Sequence, residues 1–328
     1  MLASYVLASK LADSRKTTSM NRRLNLFLLL LLTACAPAPS VVALPEAAAT
    51  QFVIAPEPTA TSILPLPTAT LIPCDPAAEE FCIVEGNFIF QNPLGPDSVL
   101  AIAGNYSYGS TDEGKREPHY GVDLQSKEGA PVFAPAPGLV IFAGTDDKTR
   151  FAQWADYYGN LVVIEHEEGL YTLYGHLSKV HVGAGERVSG GDVIAAVGHT
   201  GIAVGSHLHF EVRTGGDVTD YFSTQNPELW LALPEGVGAL SITLDSKTNY
   251  KIQRKLVIWR YFAGTDTLQA TYYASTYPKG FEQNKEDSVL SNLPPGRYRI
   301  AFTDAAGLHQ RVVSIEADKL TQVIFGEK

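Results

Sequence analysis

The chain has 328 residues and a formal net charge of −10, from 25 lysines and arginines against 35 acidic residues. Residues 240–328 hold 12 of the basic residues against 9 acids, so no part approaches the strongly basic surface that nucleic-acid binding requires, and we expect no nucleic-acid partner. The length exceeds what one hydrophobic core usually serves, which favours two folded parts beside non-globular segments.

The first 35 residues have the layout of an export signal. A basic Asn-Arg-Arg segment at residues 21–23 precedes an apolar run over residues 24–32, which is too short to span a bilayer. Because such signals begin close to their basic segment, Met20 is a better start than Met1.

The residues after the apolar run resemble the lipobox of bacterial lipoproteins. This segment, Leu32-Thr33-Ala34-Cys35, implies cleavage before Cys35 and attachment of a diacylglyceryl group to its sulfur. We therefore predict a protein anchored by lipid to a membrane, in the cell envelope and outside the cytoplasm. An ordinary secretory signal cleaved nearby is the alternative.

A linker and a cysteine pair are predicted over residues 36–82. The Pro-, Ala- and Thr-rich sequence up to residue 73 favours an extended tether without a core of its own. Cys74 and Cys82 follow, and in an exported protein such a pair is expected to form a disulfide that closes a short loop. Two free thiols are the alternative, whereas metal ligation is disfavoured because the C-x7-C spacing matches no zinc pattern.

Residues 83–234 are predicted to form a mainly β domain. Short apolar or alternating runs bounded by Gly, Pro, Asn and Asp lie at residues 132–134, 138–142, 161–164, 171–174 and 193–197. One short helix is expected after Asn226, with Pro227 in its first turn.

A second β pattern covers residues 238–328 and predicts a small β-sandwich. Its strongest runs lie at residues 256–259, 298–302, 312–315 and 322–325. Several of its aromatic residues are candidates for stacking on sugars, with core packing as the alternative: Trp259, Tyr261, Tyr272, Tyr273 and Tyr277.

Histidines and an aspartate with ligand-like spacing lie in the first β part. His207 and His209 are two residues apart, so on a strand their side chains leave the same face. His119 and Asp123 are four apart, an even separation that keeps them on one side of an extended segment. Imidazole and carboxylate ligands with one open position suit zinc, with manganese or iron as alternatives. Glu211 is expected to point to the face opposite the His-x-His pair.

These motifs resemble a known family in their order and spacing. His119-x-x-x-Asp123, Tyr174-Gly175-His176-Leu177, Gly198-His199-Thr200-Gly201 and His207-Leu208-His209-Phe210 are similar to motifs of the lysostaphin/LytM-type zinc endopeptidases, which cut peptidoglycan. The resemblance covers about residues 100–215. It implies a lysostaphin-type peptidase domain of antiparallel sheets, similar to a duplicated hybrid motif, over residues 83–234.

The resemblance also implies roles for individual residues. His119, Asp123 and His209 would hold Zn²⁺, and His176 and His207 would be the catalytic histidines that line the site. We assign the general-base role to His207 and stabilisation of the developing oxyanion to His176, and the exchanged assignment stays open. Four tyrosines either line the substrate groove or pack in the core: Tyr106, Tyr108, Tyr171 and Tyr174.

The implied function is a zinc-dependent endopeptidase that hydrolyses peptide bonds in the stem peptides or cross-bridges of peptidoglycan. A non-hydrolytic relative that binds the cell wall or activates an amidase is the alternative. Because relatives of that second kind lack one or more ligands, the complete set of five residues in this sequence favours the enzyme.

Overall fold

A computed structural model describes residues 74–167, 169–244 and 253–326. The predicted export signal, the predicted lipid-bearing Cys35 and the predicted proline-rich tether lie outside these residues. In the described ranges, no helix has the length and apolar character needed to cross a membrane. The described residues belong to one compact unit.

The regular structure of the described residues consists of β-strands and two short 3-10 helices, which confirms the predicted mainly β class. The 3-10 helices are Gly104–Tyr106 and Pro227–Leu229, and the second begins directly after Asn226, as predicted. The strands are β1 Cys82–Val84, β2 Val122–Gln125, β3 Pro131–Phe133, β4 Gly138–Thr145, β5 Asn160–Glu167, β6 Leu170–Gly175, β7 Lys179–Val180, β8 Arg187–Val188, β9 Val193–Ala196, β10 His207–Thr214, β11 Thr224–Gln225, β12 Gly238–Leu244, β13 Lys255–Tyr261, β14 Leu268–Ser275, β15 Ser288–Leu293, β16 Gly296–Asp304, β17 Gly307–Ile315 and β18 Leu320–Phe325.

One antiparallel sheet dominates the first part of the chain. Its strands lie in the order β11-β10-β6-β5-β4-β8, and β2 also pairs with β10. Strands β3, β9 and β7 form a smaller sheet whose Val132 and Ile194 share a hydrophobic cluster with residues of the large sheet. Fully buried large side chains such as Leu173 and Phe210 hold this cluster together, each by about 1.5–3 kcal/mol of apolar burial.

The C-terminal part has two four-stranded sheets, β1-β18-β12-β15 and β14-β13-β16-β17. Alternate residues of their strands, such as Ile242, Ile258 and Ile300, face one another in a second hydrophobic cluster, which is the predicted sandwich. Strand β1 belongs to this sandwich and lies antiparallel to β18. The predicted disulfide between Cys74 and Cys82 is present at its start.

The candidate sugar-stacking residues divide by strand alternation. Tyr272 packs against the second cluster and Tyr277 is buried in the first. Trp259, Tyr261 and Tyr273 occupy the opposite face of their strands, where Tyr273 is 77% exposed. Only the last three are therefore placed to meet a ligand at the outer surface of the sheet.

Candidate metal centre

Strand β10 is the element that assembles the site. His209 lies directly opposite Asp123 of β2 on one side and opposite Gly175 of β6 on the other. Directly opposed residues of antiparallel strands have Cβ atoms only about 4.5–5.5 Å apart, so this register brings Asp123 and His209 together. His176 follows Gly175 at the end of β6 and therefore reaches the same place.

Three buried side chains converge at this point: His119, Asp123 and His209. The Asp123 Oδ1 atom lies 3.1 Å from His119 Nε2 and 2.9 Å from His209 Nδ1, and these two nitrogens are 3.0 Å apart. Zinc held tetrahedrally at about 2.0–2.1 Å from its ligands keeps neighbouring ligand atoms about 3.3 Å apart. The triangle of donor atoms therefore fits a zinc ion with small adjustments.

A glycine allows the two ligand-bearing segments to approach each other. A Cβ atom at Gly121 would lie 2.6 Å from the Phe210 carbonyl oxygen and 2.9 Å from His209 Cε1. Any larger residue at position 121 would push β10 away from the segment that carries His119 and Asp123.

Glu211 lies on the same face as His209, so the expectation that it points away is wrong. Residues two apart on a regular strand share a face, and Glu211 is two residues beyond His209. Its Oε1 atom lies 3.0 Å from His209 Nε2 and accepts a hydrogen bond from the Tyr158 hydroxyl at 2.5 Å. Since a carboxylate only accepts, His209 Nε2 carries the hydrogen, so Nδ1 would present its lone pair to a metal ion bound between His119 and Asp123.

Arg213 extends this buried chain. Its Nε and Nη2 atoms each lie 2.8 Å from Glu211 Oε2, and both side chains are fully buried. Burial alone raises the pKa of Glu211, but Arg213 and His209 more than offset that effect and lower it to about 2. Glu211 is therefore ionised at neutral pH. The sequence carries a signal for this network, because His207, His209, Glu211 and Arg213 alternate along one strand.

His176 is held in an unusual backbone conformation beside the ligands. Its φ of 61° lies in the left-handed region, which costs a non-glycine residue about 1–3 kcal/mol and is common at functional sites. The side-chain Nδ1 donates to the Thr200 carbonyl oxygen at 2.9 Å, which leaves the Nε2 lone pair free. Burial, with the nearby histidines His209 and His207, lowers the pKa of His176 to about 3, so the ring is neutral at pH 7.

His207 has a different set of partners. Its Nδ1 lies 3.0 Å from the Gly205 carbonyl oxygen and its Nε2 lies 3.3 Å from Asp123 Oδ2. Both neighbours are acceptors, so an N–H at either ring nitrogen of His207 has a partner to which it can donate. The ring centroids of His176 and His207 are 4.8 Å apart.

All five predicted site residues line one cleft of about 480 Å³. Of the four tyrosines assigned to groove or core, Tyr106 lines this cleft, whereas the other three are buried. Further residues of the cleft wall carry no sequence motif and were not predicted: Arg116, Trp154, Tyr157, Ile202 and Val204.

The part of the chain that contains these residues is similar to known proteins. Residues 117–221 match the model of Peptidase family M23. The DD-carboxypeptidase/endopeptidase Mpg of Neisseria meningitidis serogroup B is 39% identical over 109 residues, which are 33% of this chain and 23% of that protein. The peptidoglycan DD-endopeptidase ShyB of Vibrio cholerae serotype O1 is 40% identical over 114 residues, which are 35% of this chain and 25% of that protein.

Among solved structures, the catalytic domain of lysostaphin from Staphylococcus simulans is 28% identical, with a TM-score of 0.32, and the alignment covers 39% of this chain and 89% of that one. The chain spans about a quarter of the length of the two curated relatives. The family match includes all five predicted site residues. Residues 117–221 are therefore similar to Peptidase family M23, and the relatives of this part of the chain include a DD-carboxypeptidase/endopeptidase and a peptidoglycan DD-endopeptidase.

Proposed function

We propose that the protein is a zinc-dependent endopeptidase that hydrolyses peptide bonds in peptidoglycan. The observation that carries this proposal is the convergence of His119 Nε2, Asp123 Oδ1 and His209 Nδ1 at 2.9–3.1 Å from one another, inside the M23 segment. Three such ligands leave one position open, which is typical of catalytic rather than structural zinc. The names of the relatives favour DD bonds of the peptide cross-links as the substrate bonds.

Zinc bound to these residues would lower the pKa of a water molecule to about 7 and polarise the scissile carbonyl. The chain's own groups supply the rest. Glu211 fixes the tautomer of His209, and Asp123 contributes a negative charge that partly neutralises a cation. The cleft walls provide the apolar surface that positions the substrate, mainly through Trp154, Tyr157 and Ile202.

The hydrogen bonds of the two remaining histidines favour the exchanged assignment of their roles. His176 lines the cleft and keeps a lone pair at Nε2, because its Nδ1 donates to the Thr200 carbonyl oxygen, and this arrangement suits a general base. His207 faces an acceptor at each ring nitrogen, so its N–H is placed to donate, which suits a proton donor to the leaving amine or to the developing oxyanion. We therefore propose His176 as the base and His207 as the donor.

We also propose that the protein acts in the cell envelope, outside the cytoplasm. The signal-like residues 21–32 and the lipobox-like segment ending at Cys35 support a protein anchored by lipid on a membrane and exposed to the cell wall. The bond between Cys74 and Cys82 is consistent with an oxidising compartment.

Digestion of purified peptidoglycan tests the function. We expect the full chain loaded with zinc to release muropeptide fragments whose masses identify cleaved peptide cross-links. The His209→Ala variant removes one of three ligands, so we expect it to lose zinc and to release no fragments above background. A chelator should abolish release by the wild type, and added zinc should restore it.

Two results would contradict the proposal. If wild-type, chelator-treated and His209→Ala protein all leave the wall intact, the non-hydrolytic alternative is favoured. If His209→Ala retains both stoichiometric zinc and full activity, the ligand assignment is wrong. Released glycan fragments with intact peptide cross-links would point to a different hydrolase activity.

A further inference from the structure

We infer that the C-terminal part of the chain positions the candidate metal ligand His119, with Phe281 as the central positioning residue. The inference rests on the metal site of the proposed function and assigns that site a support outside the M23 segment. The basis is a difference between the candidate ligands His209 and His119 in the groups that fix the orientation of their rings.

His209 and His119 differ in the hydrogen bonding of their second ring nitrogen. His209 Nε2 is bonded to Glu211, which fixes the orientation of its ring. His119 Nδ1 is buried and has no hydrogen-bond partner in the described part of the chain. The orientation of His119 therefore depends on its backbone and on the packing around it.

Two backbone hydrogen bonds join His119 to residues 109 and 110 of the loop that follows the first 3-10 helix, and we call this pair of hydrogen bonds the clamp. The Gly109 N–H donates to the His119 carbonyl at 2.8 Å, and the His119 N–H donates to the Ser110 carbonyl at 3.0 Å. Two tyrosines flank this clamp, Tyr108 before Gly109 and Tyr120 after His119. Both are nearly fully buried and belong to the first hydrophobic cluster.

Phe281 packs between these two tyrosines, although it lies in the connection from β14 to β15 of the C-terminal part. Its ring is stacked on Tyr120, with centroids 4.6 Å apart and planes 5° apart, and meets Tyr108 edge to face at 5.1 Å. It is only 5% exposed. Such aromatic pairs are worth about 0.5–1.5 kcal/mol beyond their burial, so Phe281 couples both sides of the clamp.

The same connection makes other contacts with the clamp. Tyr277 meets Tyr108 edge to face at 5.1 Å, and Asn284 Nδ2 donates to the Tyr108 hydroxyl at 3.0 Å. Gly109 has a φ of +74°, and a Cβ atom there would lie 2.7 Å from Tyr277 Cδ1. The clamp and the C-terminal connection are therefore closely fitted, and a change in one displaces the other.

The test compares Phe281→Ala with Phe302→Ala in the full chain. Phe302 is a matched control, because it is also 5% exposed but lies in the second cluster, where it contacts Phe325 and His309. Both variants remove a buried phenyl ring. Zinc affinity is measured by competition with a chromophoric chelator, and the geometry of the site by the visible spectrum of Co²⁺ bound in place of zinc.

We expect Phe281→Ala to lower zinc affinity about 10- to 100-fold, the range found when a group supporting a metal ligand is lost, and to change the Co²⁺ spectrum. Phe302→Ala should keep wild-type affinity and spectrum. If Phe281→Ala does not fold, Phe281→Leu keeps apolar volume without ring stacking and should show a smaller loss of affinity.

Wild-type affinity in Phe281→Ala, or in a folded Phe281→Leu where the alanine variant fails, would overturn the inference. An equal loss in the Phe302 control would also do so, because the effect would then reflect general stability. Wild-type protein that binds no zinc would overturn both this inference and the proposed function. Protein that binds zinc with the expected Phe281 dependence but does not digest peptidoglycan would overturn the proposed function alone.

Discussion

Replacing Glu211 by leucine is expected to lower the free energy of unfolding by about 3–5 kcal/mol, because it leaves Arg213 buried without its counter-charge. The measurement is urea denaturation followed by circular dichroism, with a chelator present so that metal binding does not contribute. The exposed Glu167 of β5 provides a control, and Glu167→Leu should change the unfolding free energy by less than about 0.5 kcal/mol.

A double variant distinguishes two roles of Glu211, its ion pair with Arg213 and its hydrogen bond to His209. Replacing Glu211 and Arg213 together by leucine removes both charges, so much of the lost stability should return. Zinc affinity should not return, because His209 Nε2 still lacks an acceptor. Full recovery of zinc affinity in the double variant would show that Glu211 does not hold His209 in place.

The ion pair of Glu211 and Arg213 also predicts that the unfolding free energy of the metal-free protein depends on pH in the acid range. The pKa of Glu211 is about 2 in the folded protein against 4.5 for an ordinary glutamate. A depressed pKa contributes stability that is fully present above pH 4.5 and is lost as pH falls towards 2. The difference in unfolding free energy between wild type and Glu211→Gln should therefore shrink over this interval. A difference that stays constant would contradict the assignment.

Alanine at His176 or His207 is expected to lower kcat for a peptidoglycan fragment by about 10²- to 10⁴-fold while zinc stays bound. Neither residue supplies an atom to the ligand triangle, so metal content should match the wild type. In the double variant the losses should be far from additive if both histidines serve the same proton transfers. The measurement combines steady-state kinetics with zinc analysis of the purified variants.

A histidine elsewhere on the domain provides the control. His181 is exposed and does not line the cleft, so His181→Ala should keep the wild-type kcat. Loss of zinc in His176→Ala or His207→Ala would make that residue a ligand rather than a catalytic group. Wild-type kcat in either variant would remove it from the mechanism.

Short-range periodicity explains why much of the fold and site was predictable. The strand runs at residues 161–164 and 171–174 became β5 and β6, and alternation along β10 placed His207 and His209 on one face. The same alternation includes Glu211, whose carboxylate bonds to His209. Its orientation was mispredicted although the period of two already determines it.

Other features depend on contacts that sequence spacing does not contain. The proposed choice of His176 rather than His207 as base rests on the carbonyl partners at Thr200 and Gly205, which only the folded loops bring near. The packing of Phe281 on Tyr120 joins residues from different parts of the chain. Composition and periodicity predict neither the histidine partners nor this aromatic packing, because these contacts join segments that are distant in the sequence.

The pairing of β1 with β18 also has a consequence for the timing of assembly. Cys82 lies opposite Gln322, so one of the first described strands finds its partner among the last. A chain made from its N-terminus holds β1 unpaired until β18 exists, and contacts between such distant residues form slowly. A nascent chain that ends before Phe281 also lacks the ring that packs on Tyr120, the residue after His119. The candidate centre is therefore completed only after the segment that contains Phe281 has been synthesised.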